Sequence, residues 1–186
     1  MDKSILYKLS YGLYAIGAQD GACIANTVFQ ITSTPAVIAL SMNKNNATHD
    51  LIQKSGRFSV SILNEDVPSE IISTLGFASS RDTDKFTGLP WKKINGLPVL
   101  EKGSSGYLLC EVISSSDLGT HTVFFAAVQE AEAVQEGRVM TYEYYHNVIK
   151  GKAPKNAPTY QEPEMALFHR PPKPAPKKQA IIKCCM

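Results

Sequence analysis

Residues 11–33 read YGLYAIGAQDGACIANTVFQITS, two runs of β-branched, aromatic and small residues separated by Gln19-Asp20-Gly21. Asp-Gly between such runs is a strong turn signal, so residues 11–18 and 22–31 are expected to form a β-hairpin. Working outward, Pro35 opens a third strand over residues 36–42, at the edge position that proline tolerates. Residues 48–55 read as a short helix with Asn46 or Thr48 as N-cap and Gly56 as its stop. Phe58, Val60 and Ile62 alternate with Ser59 and Ser61, the pattern of a half-buried strand. A second short helix covers residues 67–75 and closes at Gly76. Residues 76–96 are polar and turn-rich, and ordered loops of that length usually carry function. Two long strands follow at 106–114 and 118–130, joined around Ser115-Ser116-Asp117, and a last strand or helical turn covers 139–146. Six or seven strands with tight turns and two short helices indicate an antiparallel barrel or sandwich, not a doubly wound sheet.

The bulk properties agree with one globular body. The chain has 186 residues, 44% hydrophobic and 19% charged, enough for a single good core. Its formal charge of +2 is unevenly spread: residues 1–167 carry −3 and the last nineteen +5. That is too little positive charge for nucleic acid, and no apolar run approaches membrane-spanning length. We therefore expect neither a nucleic-acid nor a membrane partner. Cys23 and Cys110 lie in apolar strand-like runs and read as small buried hydrophobes, while Cys184 and Cys185 end the chain without metal-ligand spacing. A reducing, cytoplasmic location is the expectation, and no metal site. Neither GxGxxG nor GxxxxGK[ST] occurs, so the common nucleotide fingerprints are absent.

One junction is unusually polar. The expected buried strand 36–42 runs into SMNKNNATHD, residues 41–50, just before the first helix. A helix start presents unpaired N–H groups and partial positive charge, which suit an anion. Ser41 and Thr48 add hydroxyls, Asn43 and Asn46 amides and Lys44 a full charge, so the stretch suits a phosphate. The same residues also suit a solvated turn with a good cap.

A series of short motifs narrows this choice. Tyr11-Gly-Leu-Tyr14, the run 25–33, Ser41-Met-Asn-Lys44 with Thr48-His49, Phe77-Ala-Ser-Ser-Arg81 with Lys85-Phe86, Leu118-Gly-Thr-His121 and Tyr142-Glu-Tyr-Tyr145 occur in order. Over residues 5–160 the chain resembles the flavin reductase-like family, the FMN-binding split barrels. It is most similar to flavoredoxin-like reductases that serve flavodiiron proteins, some of them fused to rubredoxin. The resemblance implies a mainly β fold: a six-stranded antiparallel split β-barrel of Greek-key type with a few short helices. Residues 1–160 would form that domain and 161–186 a basic, Pro/Lys-rich flexible tail.

The resemblance also implies noncovalent FMN in a groove at a homodimer interface, reduced by NADH or NADPH. The phosphate would sit among Ser41, Asn43, Lys44 and Thr48, with His49 beside it and Arg81 and Lys85 as further charges. The strand 25–28, Ala25, Asn26, Thr27 and Val28, would lay its backbone along the isoalloxazine. His121 is the expected catalytic residue, positioning nicotinamide or tuning the flavin edge, or else a satisfied core histidine. Phe86 and Trp91 either stack on a nicotinamide or anchor their loop, and Tyr145 either covers the cofactor or packs beside it. Hydride transfer needs orientation and dryness but no nucleophile, in keeping with the lack of a Ser-His-Asp or Cys-His set. Rubredoxin needs four thiolates and only two cysteines lie beyond residue 160, so an iron relay is expected to be a separate protein. Electrons would pass to a flavodiiron protein, a rubredoxin or free flavin. The alternative is a flavoredoxin-type electron carrier that does not use NAD(P)H directly.

Overall fold

A computed structural model describes residues 2–152, 157, 159 and 160, with the side chains of residues 3, 4 and 7 left out. The basic segment 161–186, with Cys184 and Cys185, lies outside the described residues. Among the described residues, nine strands and three α-helices follow a short 3-10 turn at Lys3–Lys8. Seven strands form one antiparallel sheet: β1 (Tyr14–Ala18), β2 (Gly21–Ala25), β3 (Val28–Ser33), β4 (Ala36–Asn43), β5 (Arg57–Leu63), β8 (Ser104–Asp117) and β9 (His121–Ala133). The remaining pair, β6 (Trp91–Ile94) and β7 (Leu97–Leu100), makes a separate hairpin.

The order in the large sheet is β2-β1-β5-β8-β9-β4-β3. Its two end strands are therefore β2 and β3, and these are consecutive in sequence, separated only by Asn26 and Thr27. Residues 21–33 run along one rim of the sheet, turn a corner and return along the other. Counted as one bent strand, they leave the six strands of a split barrel. A single uninterrupted strand over 22–31 is corrected accordingly, because the corner at Asn26–Thr27 divides it. Ser41 N–H donates to Thr27 O at 3.0 Å just past that corner, so β4 continues the pairing there.

Four other expectations change. Ser59 and Ser61 are fully buried, so β5 is covered on both faces rather than one. Each hydroxyl is matched: Ser59 Oγ donates to Pro98 O, and Ser61 Oγ accepts from Leu100 N–H at 3.0 Å. The hairpin β6–β7 thus roofs β5, and the supposed loop 76–96 contains its first strand. The turn between the long strands sits at residues 118–120, where Gly119 has φ 83°, three residues later than expected. Helix α2 (Ser69–Phe77) runs through Gly76 instead of stopping at it.

Helix α1 (Ala47–Ser55) begins and ends as its residues dictate. Asn46 Oδ1 accepts from Thr48 N–H at 3.0 Å, and Gly56 at φ 68° returns its N–H to Ile52 O. The barrel interior is filled by Ile16, Leu40, Phe58, Val60 and Phe124, all at most 1% exposed. A second core holds Leu13, Ile71, Leu75, Met140 and Tyr145 between the barrel, α2 and the short α3 (Tyr142–Asn147). The site lies between these two cores.

Candidate functional site

A cavity of about 320 Å³ opens where several element ends converge. Residues 23–26 of β2 and its corner form one wall, and residues 41–43 of β4 a second. The turn and N-cap leading into α1 contribute residues 45–46, with Ala47 at the helix start, and the C-terminal end of α2 with the two residues after it contributes 75–79. Leu13, Ile72, His121, Tyr142, Tyr145 and Ala157 complete the lining. Of the residues expected from sequence, Ala25, Asn26, Ser41, Asn43, His121 and Tyr145 meet at this cavity.

Backbone as well as side chains face it. On the outer edge of β2, Ala22 N–H donates to Ser80 Oγ at 3.3 Å, and Ser80 Oγ donates back to Ala22 O at 3.2 Å. Outward-facing groups in an antiparallel ladder recur every second residue, so the N–H and C=O of Ile24 lie on the same edge. Ile24 lines the cavity. At the helix end, Asn45 N–H donates to Asn43 Oδ1 at 2.8 Å, which orders the turn leading into α1.

His121 is fixed on one side only. Its Nδ1 lies 2.9 Å from Thr120 Oγ1, while its buried Nε2 has no hydrogen-bond partner among the described residues. A buried ring nitrogen without a partner is costly unless a ligand supplies one. Burial holds the imidazole below the ordinary histidine range, so it is neutral at pH 7. Thr48 Oγ1 is likewise buried without a hydrogen-bond partner among the described residues, but Thr48 is wholly buried against the Cys23 thiol and lies outside the lining, not in the cradle expected of it.

The other expected residues lie outside the lining. Thr27 Oγ1 donates to Asn26 Oδ1 at 3.0 Å, and Val28 begins β3 beyond the corner. Lys44 Nζ pairs with Asp117 Oδ2 at 2.6 Å and holds that carboxyl below its usual range. His49 is buried, with Nε2 2.9 Å from Thr122 Oγ1 and Nδ1 3.2 Å from Asp50 Oδ1. Arg81 reaches the same aspartate at 2.7 Å and donates to Asn45 O at 3.1 Å. His49 first and Arg81 second lower the Asp50 carboxyl. Arg81 thereby straps the 78–90 loop onto the start of α1.

Lys85 departs most from expectation. Only 3% exposed, it donates to Ala22 O and Leu75 O, each at 2.9 Å, and is a buried strut between β2 and α2, not a phosphate ligand at the surface. Burial pushes its ammonium below the usual lysine value. Phe86 packs edge-on against Trp91 with centroids 5.4 Å apart in the second core, which is the anchoring role.

Sequence reasoning passed over four parts of the lining: Asn45 with Ala47, the end of α2 with exposed Phe77, Tyr142, and the stretch near Ala157. In the run 77–81 the conspicuous residue is the charged Arg81, yet Phe77, Ala78 and Ser79 line the cavity and Arg81 does not. Burial pushes the Cys23 thiol up, so the one cysteine on the cavity wall is no thiolate nucleophile. Among the described residues no group of three or more His, Cys, Asp or Glu is placed to hold a metal ion, and no helix is long and apolar enough to cross a membrane.

Residues 6–152 match the family described as flavin reductase like domain. The chain belongs to the flavin reductase-like family. This flavin reductase-like chain is 44% identical over 165 residues to a high molecular weight rubredoxin of Moorella thermoacetica, covering 86% of this chain and 72% of that protein. It is 40% identical over 167 residues to a ferric-chelate reductase (NAD(P)H) of Archaeoglobus fulgidus, covering 87% and 99%. Among solved structures, a flavin reductase domain protein from Arthrobacter superposes with a TM-score of 0.67 at 17% identity, over 75% of this chain and 87% of that one. That likeness carries the split-barrel fold alone.

Proposed function

We propose that this chain is an NAD(P)H:flavin oxidoreductase that holds FMN noncovalently in the cavity described above. The observation that carries the reading is the convergence on one cavity of a helix start, an outward strand edge and a buried histidine nitrogen lacking a partner. These suit the three demands of a flavin mononucleotide: an anionic phosphate, a ring edge rich in hydrogen-bonding groups, and a dry place beside it. Ser41, Asn43 and the first turn of α1 would receive the phosphate. The edge of β2 at Ile24–Asn26 would align the ring, and His121 Nε2 would face the reacting side. Lys44, Arg81 and Asp50 brace the phosphate end through ion pairs. Bound flavin supplies a hydride acceptor able to release electrons singly or in pairs.

The names of two relatives support a reading of the acceptor. One relative is named for a rubredoxin and another for ferric chelates. We infer a one-electron iron centre, borne by a separate rubredoxin-like protein or a flavodiiron protein, with free flavin as a second outlet. A homodimer fits the apolar residues exposed on two strands, Phe29 and Ile31 on β3 and Ile113 on β8, with Leu118 at the hairpin tip.

Anaerobic addition of NADH or NADPH to the FMN-loaded protein is expected to bleach the oxidised flavin band. A loaded protein that stays yellow with both, yet is reduced by a reduced iron–sulfur donor, would instead be an electron carrier. A protein that binds no FMN would end the reading. Thr48→Val gives a sharper local test. Replacing an unpaired buried hydroxyl by a methyl group should leave the thermal midpoint of the flavin-free protein unchanged or higher. FMN affinity should be unchanged as well, since Thr48 lies outside the lining. Binding weakened about fivefold would return Thr48 to the cradle.

A further inference from the structure

We infer that Thr159, which lies beyond the residues matched by the family model, is a positioning residue of the flavin site. The inference rests on reading the cavity as that site. Thr159 is 6% exposed and sits against the corner at Asn26, itself 6% exposed. Asn26 Nδ2 donates to Thr159 Oγ1 at 2.8 Å, and the same hydroxyl donates to Tyr142 Oη at 2.6 Å. Thr27 Oγ1 holds the other end of the Asn26 amide, donating to Oδ1 at 3.0 Å. Both ends of that side chain are thus spoken for, and its orientation is set by a residue 133 positions away. The backbone turns to deliver it: Tyr160 N–H donates to Ala157 O at 3.0 Å, and Ala157 lines the cavity.

Two consequences for the site follow. Asn26 is the residue at which β2 leaves one rim of the barrel and the chain turns toward β3, so locking its amide locks the strand end that faces the ring. Tyr142 receives the threonine proton and keeps its own, and burial holds the phenol protonated. Its O–H is therefore left as a donor on the cavity wall, suited to a carbonyl of a flavin ring. One hydroxyl from the C-terminal segment thus keys two walls of the cavity together.

The test compares Thr159→Val, which keeps the shape and removes the hydroxyl, with Thr159→Ser, which keeps the hydroxyl, in the full-length chain. In the flavin-free protein, valine is expected to speed amide hydrogen exchange at residues 25–28, while serine leaves it as in the native chain. FMN titration should show a dissociation constant raised about tenfold by valine, the scale of two lost hydrogen bonds, and within about twofold of native for serine. Unchanged exchange at 25–28 in the valine variant would overturn the inference, as would a serine variant that loses as much affinity as valine. If the valine chain does not fold, Thr159→Ala is judged by the same criteria. FMN titration of the native chain separately decides the reading on which this rests, and the exchange measurement needs no flavin.

Discussion

Replacing Lys85 by alanine is expected to lower the thermal midpoint by about 10 °C. The side chain is almost wholly buried, and its ammonium supplies the hydrogen bonds for two carbonyls, Ala22 O and Leu75 O. Removing it takes away two charge-assisted hydrogen bonds, worth about 1.5–3 kcal/mol each, and leaves Ala22 O only the Ser80 hydroxyl, with the packing of the lysine's methylene stem lost as well. A total of about 3–5 kcal/mol in a chain of this size gives the stated shift. Lys85→Met restores the stem but not the donors and should recover only the packing share. The native protein carries a signature of its own. Because the folded-state value lies below 10.5, the folded chain binds fewer protons than the unfolded one as pH approaches that value. Stability contributed at Lys85 therefore rises with pH in that window and the alanine variant lacks the rise. A midpoint change below about 3 °C would mean that water satisfies both carbonyls.

His121→Ala should slow flavin reduction by NAD(P)H by about tenfold to a hundredfold, the scale of a misplaced reactant. FMN affinity should stay within about threefold of native, since the phosphate donors are elsewhere. The ring lies on β9 directly across from Asn43 on β4, and Thr120 Oγ1 fixes its Nδ1 side. Nε2 is left to order whatever enters the cavity. Stopped-flow bleaching of the flavin band at saturating NADH separates the two effects. Rates equal to native would return His121 to a packing role. Proton linkage supplies a second readout. With the folded value depressed below 6.5, the unfolded chain takes up the proton first as pH falls. The His121 contribution is intact above that value and lost as pH drops below it. His146, also lowered by burial, acts in the same direction. Thermal midpoints should therefore fall between pH 7 and 5, with a shallower slope in His121→Gln.

The parts of the molecule legible in sequence were those governed by local rules. The Asn46 cap and the Gly56 stop each depend on a residue and its nearest neighbours and lie where expected, and the first hairpin turn falls within one residue of its Asp-Gly signal, at Gln19–Asp20 with Gly21 already in β2. Ile94-Asn95-Gly96-Leu97 carried the same kind of signal, with Asn95 at φ 49° and Gly96 at φ 83° as a two-residue hairpin turn requires, but the polar surroundings hid it. What could not be read was tertiary. Ser59 and Ser61 imitate a solvent-facing alternation because their partners, Pro98 and Leu100, come from a distant hairpin. A lysine in a polar loop looks like a surface charge until Ala22 and Leu75 are seen to enclose it. A minority of the cavity lining was found, chiefly where it lay at strand ends flanking the polar junction. The end of α2 and the Thr159 bridge were missed because they reach the site from far along the chain.

The bent strand over residues 21–33 also bears on which length changes the protein tolerates. A length change at the exposed β3–β4 turn, Thr34–Pro35, leaves the register of the ladders on either side unchanged. At Asn26–Thr27 a single inserted or deleted residue would carry an odd step into a segment paired at both ends, with β1 on one side and β4 on the other. One of the two ladders would have to present its inward residues outward, since side chains alternate with every step. Descendants of this chain are thus free to diversify at its tips, while the seam of the cylinder admits substitutions but not indels.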